Sequence, residues 1–223
     1  AGSRGWTRKS GRGYRRWGIS PRPENAAGAQ GAGTGILGAM TTPAPVTTAT
    51  EVVQFWRDAG PQRWFRKDEA FDADFRSRFM AAHEAAARGE LDTWATTADG
   101  ALALLILLDQ FPRNSFRGTA RMFATDALAR DFARAALASD FDQQTDESLR
   151  NFFYLPFMHS EDLTDQDSAL ALCTALGPDA RHHAQVHRDI IVRFGRFPHR
   201  NAVLGRATTP QEQQFLDAGG FAG

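Results

Sequence analysis

No stretch of this 223-residue chain alternates apolar and polar residues long enough to build a strand, whereas Phe71, Phe75, Phe79 and Ala82 recur at spacings of four, four and three. That period lays one apolar stripe along a helix. Asp72 stands near the start of this helix and Gly89 just past its end, where helix termini place such residues. Residues 97–111 are apolar on every side, the pattern of a helix enclosed by its neighbours, and Pro112 is expected to stop it. Further helices are expected over 51–57, 119–138, from Thr145 toward Tyr154, and over 164–176, 178–194 and 210–216, with Thr50 and Thr164 as caps. Trp56, Trp64 and Phe65 read as aromatic anchors, and Phe123, Ala127 and Ala135 as inward residues of the 119–138 helix. Short connections favour stacked antiparallel helix pairs, an all-α fold.

With 42% hydrophobic and 23% charged residues the chain can bury one ordinary core. A single helical domain is expected over 49–223. Residues 1–48 mix Gly, Ala, Arg, Pro and Thr without periodicity and are expected to form a disordered extension, with Met40 a candidate natural start. The Arg15-Arg16 pair lacks the apolar stretch that should follow it in an export signal. Seven basic residues and one acidic residue fall in the first forty, leaving 19 basic against 25 acidic beyond them, a net charge of −6. That balance argues against nucleic-acid binding by 49–223. The longest apolar run, 101–108, falls short of the ~18 to 20 residues that span a bilayer, so no membrane partner is expected. The lone cysteine, Cys173, excludes an internal disulfide framework and points to a reducing, cytoplasmic setting.

Three segments carry candidate chemistry. In the first, Asp109 and Gln110 lie at the mouth of the apolar helix, with Arg113, Asn114 and Arg117 following at once. Charges placed there must find partners, and the plainest arrangement has both arginines capping helix carbonyls and pairing with Asp109. In the second, His159 is followed by Ser160, Glu161 and Asp162. A carboxylate holding one imidazole nitrogen would present the other as a general base or ligand, while Ser160, Glu161 or Asp162 could equally cap the next helix. The third, 181–206, holds six arginines and four histidines against Asp189 alone. A field of one sign suits an anion, and Arg196, Arg200 and Asn201 supply planar donors for a carboxylate or phosphate. Asp189 and Arg193 stand at i,i+4, the spacing of a helical ion pair. Phe111-Pro112 and Phe197-Pro198 are each followed by basic residues and Asn, so the two corners could form opposite walls of one pocket.

The segments Trp64-Phe65, 107–114, 155–162 and 187–206 together resemble the bacterial domain of unknown function 924 family, over roughly residues 51–221. The resemblance implies a helical fold similar to tetratricopeptide-like superhelices and no established activity. The family pattern has Glu where Met158 stands, so no carboxylate role falls to that position.

Three functions stay open on these grounds. The leading one is binding of an anionic small molecule or acidic peptide through Asp109, Arg113, Asn114, Arg117, Arg196, Arg200 and Asn201. A second is a hydrolase-like enzyme with His159 or His199 as general base beside Glu161 and arginines stabilising an anionic substrate. A third is a protein-interaction module without a ligand pocket. No cofactor is expected; a metal held by His159, Glu161 and a histidine from 182–199 is a further option, and the oligomeric state is open.

Overall fold

The computed structural model describes residues 47–221. Expectations about an N-terminal extension and Met40 lie outside the described residues. Among those residues there is no strand, and no helix is long and apolar enough to cross a membrane. Two early helices, α1 (Ala49–Ala59) and α3 (Glu69–Ala87), are joined by the short α2 (Pro61–Trp64). Thr48, and not Thr50, caps α1 in a reciprocal capping box with Glu51. The stripe of α3 is buried as its period demands, at Phe71, Phe75, Phe79 and Ala82. Phe55 of α1 stacks on Phe75 with centroids 5.2 Å apart. Trp56 and Trp64 are buried, whereas Phe65 is 65% exposed and lays one face on the core ring of Phe152, with centroids 5.9 Å apart.

The central helix departs from expectation where the sequence looked simplest. After α4 (Ala98–Leu105) the chain makes a π-helical turn, Ile106–Gln110, and passes without a break into α5 (Phe111–Ser115), so Pro112 does not stop the helix. In an α-helix the proline ring would collide with the Leu108 carbonyl and leave it without a donor. The π turn accommodates it: the Phe111 N–H reaches back five residues to the Ile106 carbonyl. The carbonyls released are taken by side chains. His83 Nδ1 lies 2.9 Å from the Leu107 oxygen, Thr125 Oγ1 donates to Leu108 at 2.5 Å, and Arg113 Nη1 donates to Asp109 at 2.8 Å. Thr125→Val keeps the shape and removes one of these donors. It is expected to lower the unfolding free energy by about 1–3 kcal/mol in a denaturant titration, the cost of a buried group left without a partner.

A 3-10 turn, Ala120–Phe123, precedes α6 (Asp126–Ala138), where one continuous helix was expected. The break shifts the phase, so Ala129, Ala133 and Ala136 face inward and Ala127 and Ala135 outward. Short helices α7 (Glu147–Arg150) and α8 (Leu155–Met158) lead to α9 (Leu163–Leu176), capped by Asp162 in place of Thr164. Only Gly177 separates α9 from α10 (Pro178–Phe194). Its φ of +124° suits a residue without a side chain, and it folds the two helices into an antiparallel hairpin in which Arg188 of α10 reaches Asp167 at the start of α9. A 3-10 turn at Pro198–Arg200 and α11 (Pro210–Asp217) complete the unit. A small second apolar cluster, Ile190, Ile191 and Phe197 with Phe194, Phe215 and Phe221, seats this C-terminal part.

Candidate functional site

The π turn faces the buried side of α6 and the end of α8, and three charged segments far apart in sequence meet there. Asp109, 1% exposed, accepts a hydrogen bond from His159 Nδ1 at 2.8 Å. The same oxygen lies 3.0 Å from Arg113 Nη1, and Gln110 donates to the other oxygen at 2.5 Å. Arg113 also grips Asp126, the first residue of α6, through both terminal nitrogens at 2.9 and 3.1 Å. Arg200 approaches Asp126 from the second Phe-Pro corner at 3.4 Å and donates to the His159 carbonyl at 2.9 Å. Its guanidinium carbon sits 4.4 Å from the Phe123 ring centroid and 4.6 Å from that of Phe197, held between two aromatic faces. The two corners therefore do meet, across one carboxylate and within a packed cluster.

Other residues expected at the site are engaged elsewhere. Asn114 and Arg117 both bind Asp72 of α3, at 2.6 and 3.0 Å. Arg117 therefore does not pair with Asp109. Arg196 holds Glu212 of α11 with two hydrogen bonds, at 2.6 and 2.8 Å, and Asn201 donates to the same carboxylate at 3.3 Å. Glu161 stands apart from the His159 imidazole: its oxygens accept from Arg206 at 2.7 and 3.0 Å and from the Phe197 N–H at 2.8 Å. The carboxylate that orients His159 is thus Asp109, fifty residues away in sequence. Asp189 accepts from Gln185 at 2.7 Å, and Arg193 lies over the Phe194 ring instead of pairing with it. Among the described residues no three His, Cys, Asp or Glu side chains are placed to hold a metal ion.

Charge balance sets the protonation states. Burial alone would raise the Asp109 pKa, but Arg113 and His159 outweigh it and hold it at about 2. His159 is lowered by burial and by Arg113, against the pull of Asp109. His187 is lowered to about 4 and His199 to about 3, both chiefly by burial and next, for His199, by Arg200. Three neutral imidazoles therefore gather beside a cluster whose two carboxylates and two guanidinium groups cancel. Asp126 escaped the sequence reading, and His187 entered it only as one of the four histidines of the 181–206 segment. The one visible signal for Asp126 was an acidic residue at a helix start, which usually means no more than a favourable helix dipole.

The model of the family described as "Bacterial protein of unknown function (DUF924)" matches residues 52–220. The chain belongs to the DUF924 family. A similar solved structure, that of a protein of unknown function, ATU0120, from Agrobacterium tumefaciens, is 57% identical, with a TM-score of 0.75 over 76% of this chain and 97% of that one. No curated protein matches the chain. The DUF924 assignment thus agrees with the helical fold and brings no activity with it.

Proposed function

We propose that this protein is an enzyme of hydrolase type in which His159 acts as general base on a small polar substrate, with Asp109 as its positioning residue. The observation that carries the reading is the Asp109–His159 hydrogen bond, with Asp109 1% and His159 15% exposed. Nδ1 is committed to the carboxylate, so the neutral ring keeps its lone pair on Nε2, which has no hydrogen bond among the described residues and is not sealed by them. When Nε2 takes a proton from water, Asp109 stabilises the imidazolium, the hydroxide adds to the acyl or phosphoryl centre, and the proton passes on to the leaving group. Burial and Arg113 keep the ring unprotonated near neutral pH, as a base requires.

The test is a panel of nitrophenyl carboxylate and phosphate esters and amides. The wild-type chain is expected to turn over at least one member, and His159→Gln, which can still donate to Asp109, to lose about 100-fold or more in kcat. No turnover of any member, or equal turnover by the variant, overturns the reading. A second reading, binding of an anionic small molecule or acidic peptide, draws support from Arg200, whose carboxylate contact is long and whose Nε has no partner among the described residues. Against it, Arg113, Arg117, Arg196 and Arg206 are each matched by a carboxylate. In either reading the helix pairs wind in a tetratricopeptide-like manner and the protein works in a reducing cytoplasm, where Cys173 stays a buried thiol with its pKa pushed up to about 12.

A further inference from the structure

We propose that His187 and Phe221 complete this site: His187 offers a second imidazole lone pair to the ligand on which His159 acts, and Phe221 is a displaceable cover over His187. The inference rests on the reading of His159 above and extends it to a ligand class.

His187 comes from the middle of α10, and its ring centroid is 6.4 Å from that of His159. Its Nδ1 lies 2.8 Å from the His183 carbonyl one turn earlier, and an oxygen acceptor there requires that Nδ1 carry the proton. The lone pair is then on Nε2, which, like that of His159, has no partner among the described residues and is not sealed by them. Two neighbouring imidazoles with fixed tautomers thus present acceptors alone. Neither can satisfy the other. What satisfies both is a molecule that brings O–H or N–H donors, and the balanced charges behind them call for no ionic group.

Phe221 lies against the ring of His187 and that of His199. Its centroid is 4.5 Å from His187 and 5.3 Å from His199, with edge-to-face inclinations of 61° and 73°. The chain is aimed there by the end of α11: Gly219 adopts φ +78°, and the Gly220 N–H returns to the Phe215 carbonyl at 2.9 Å. A β-carbon at Gly220 would come within 2.5 Å of that carbonyl oxygen, so the turn needs glycine there. No described hydrogen bond holds Phe221 itself, and its ring is only half-buried. Apolar contact alone keeps it in place, and a ligand ring can replace that contact. The class that follows is a small molecule with an apolar or aromatic body and at least one hydroxyl or N–H donor.

Phenol is the simplest probe, and toluene is its match without the donor. In the full chain labelled with nitrogen-15, phenol is expected to shift the Nε2 resonances of both His159 and His187, and to bind at least tenfold more tightly than toluene. Phe221→Ala is expected to bind phenol several-fold more tightly, because no ring has to leave. His83 Nε2, in the separate core beside Phe111, serves as the internal control and should not move. The proposal is overturned if the His187 signal stays fixed, if toluene binds as well as phenol, or if Phe221→Ala leaves the affinity unchanged. Those results would not touch the loss of turnover in His159→Gln, so the two readings fail separately.

Discussion

Asp126→Ala is expected to lower the melting temperature by about 10 °C. One carboxylate serves both guanidinium groups of the cluster, Arg113 through two hydrogen bonds and Arg200 through one. All three side chains are largely withdrawn from water, at 13%, 8% and 10% exposure for Arg113, Arg200 and Asp126. Removing one partner of a buried pair costs about 3–5 kcal/mol, and here Arg200 is left without its carboxylate while Arg113 keeps only Asp109, 3.0 Å away. In a domain of this size each kcal/mol moves the midpoint by about 2–4 °C. Arg117→Ala is the matched comparison. Its pair with Asp72 is 37% exposed on the arginine side, where loss of a pair costs about 1 kcal/mol or less. Equal losses from the two substitutions in a thermal melt would show that Asp126 is not the joint between the corners.

The stability of the folded chain is expected to fall by about 3–4 kcal/mol between pH 7 and pH 5, well above the range where carboxylates titrate. In the unfolded chain a histidine takes up its proton around pH 6.5. Burial lowers His187 to about 4 and His199 to about 3 in the fold, with Arg200 adding to the effect on His199. Between these values and 6.5 the unfolded chain binds more protons than the native one, so stability rises with pH through that window and is lost as pH falls. Each group contributes about 2 kcal/mol to the change, nearly independent of how far below 5 its folded pKa lies. His159 shifts in the same direction. Urea titrations at pH 7, 6 and 5 measure the slope, and a flat profile would mean that the imidazoles are protonated in the native state.

Both expectations concern groups whose roles the chain discloses unevenly. Asp109, Arg113, His159 and Arg200 stood out as polar residues next to apolar helix ends, and all four lie in one cluster. Glu161 stood out equally, two residues from His159, yet its partner is Arg206. Adjacency in sequence put the wrong carboxylate beside the imidazole, because residues two apart in this turn point in different directions. Asp126 carried no mark beyond an acid at a helix start, since its partners are 13 and 74 residues away.

The courses of α3, α9 and α10 are legible from local spacing alone. The four-four-three spacing of α3 and the bounds of α10 follow from a period carried by residues three or four apart, and such local signals survive in any context. Tertiary structure decided the π turn through Pro112, the phase of α6 and the pairing of Asp109 with His159. Each depends on a side chain from another helix arriving at a released carbonyl or a buried charge: Thr125 at Leu108, His83 at Leu107, Arg113 at Asp126. Desolvation makes every such group take whichever partner packing brings within reach, and that choice is made in three dimensions.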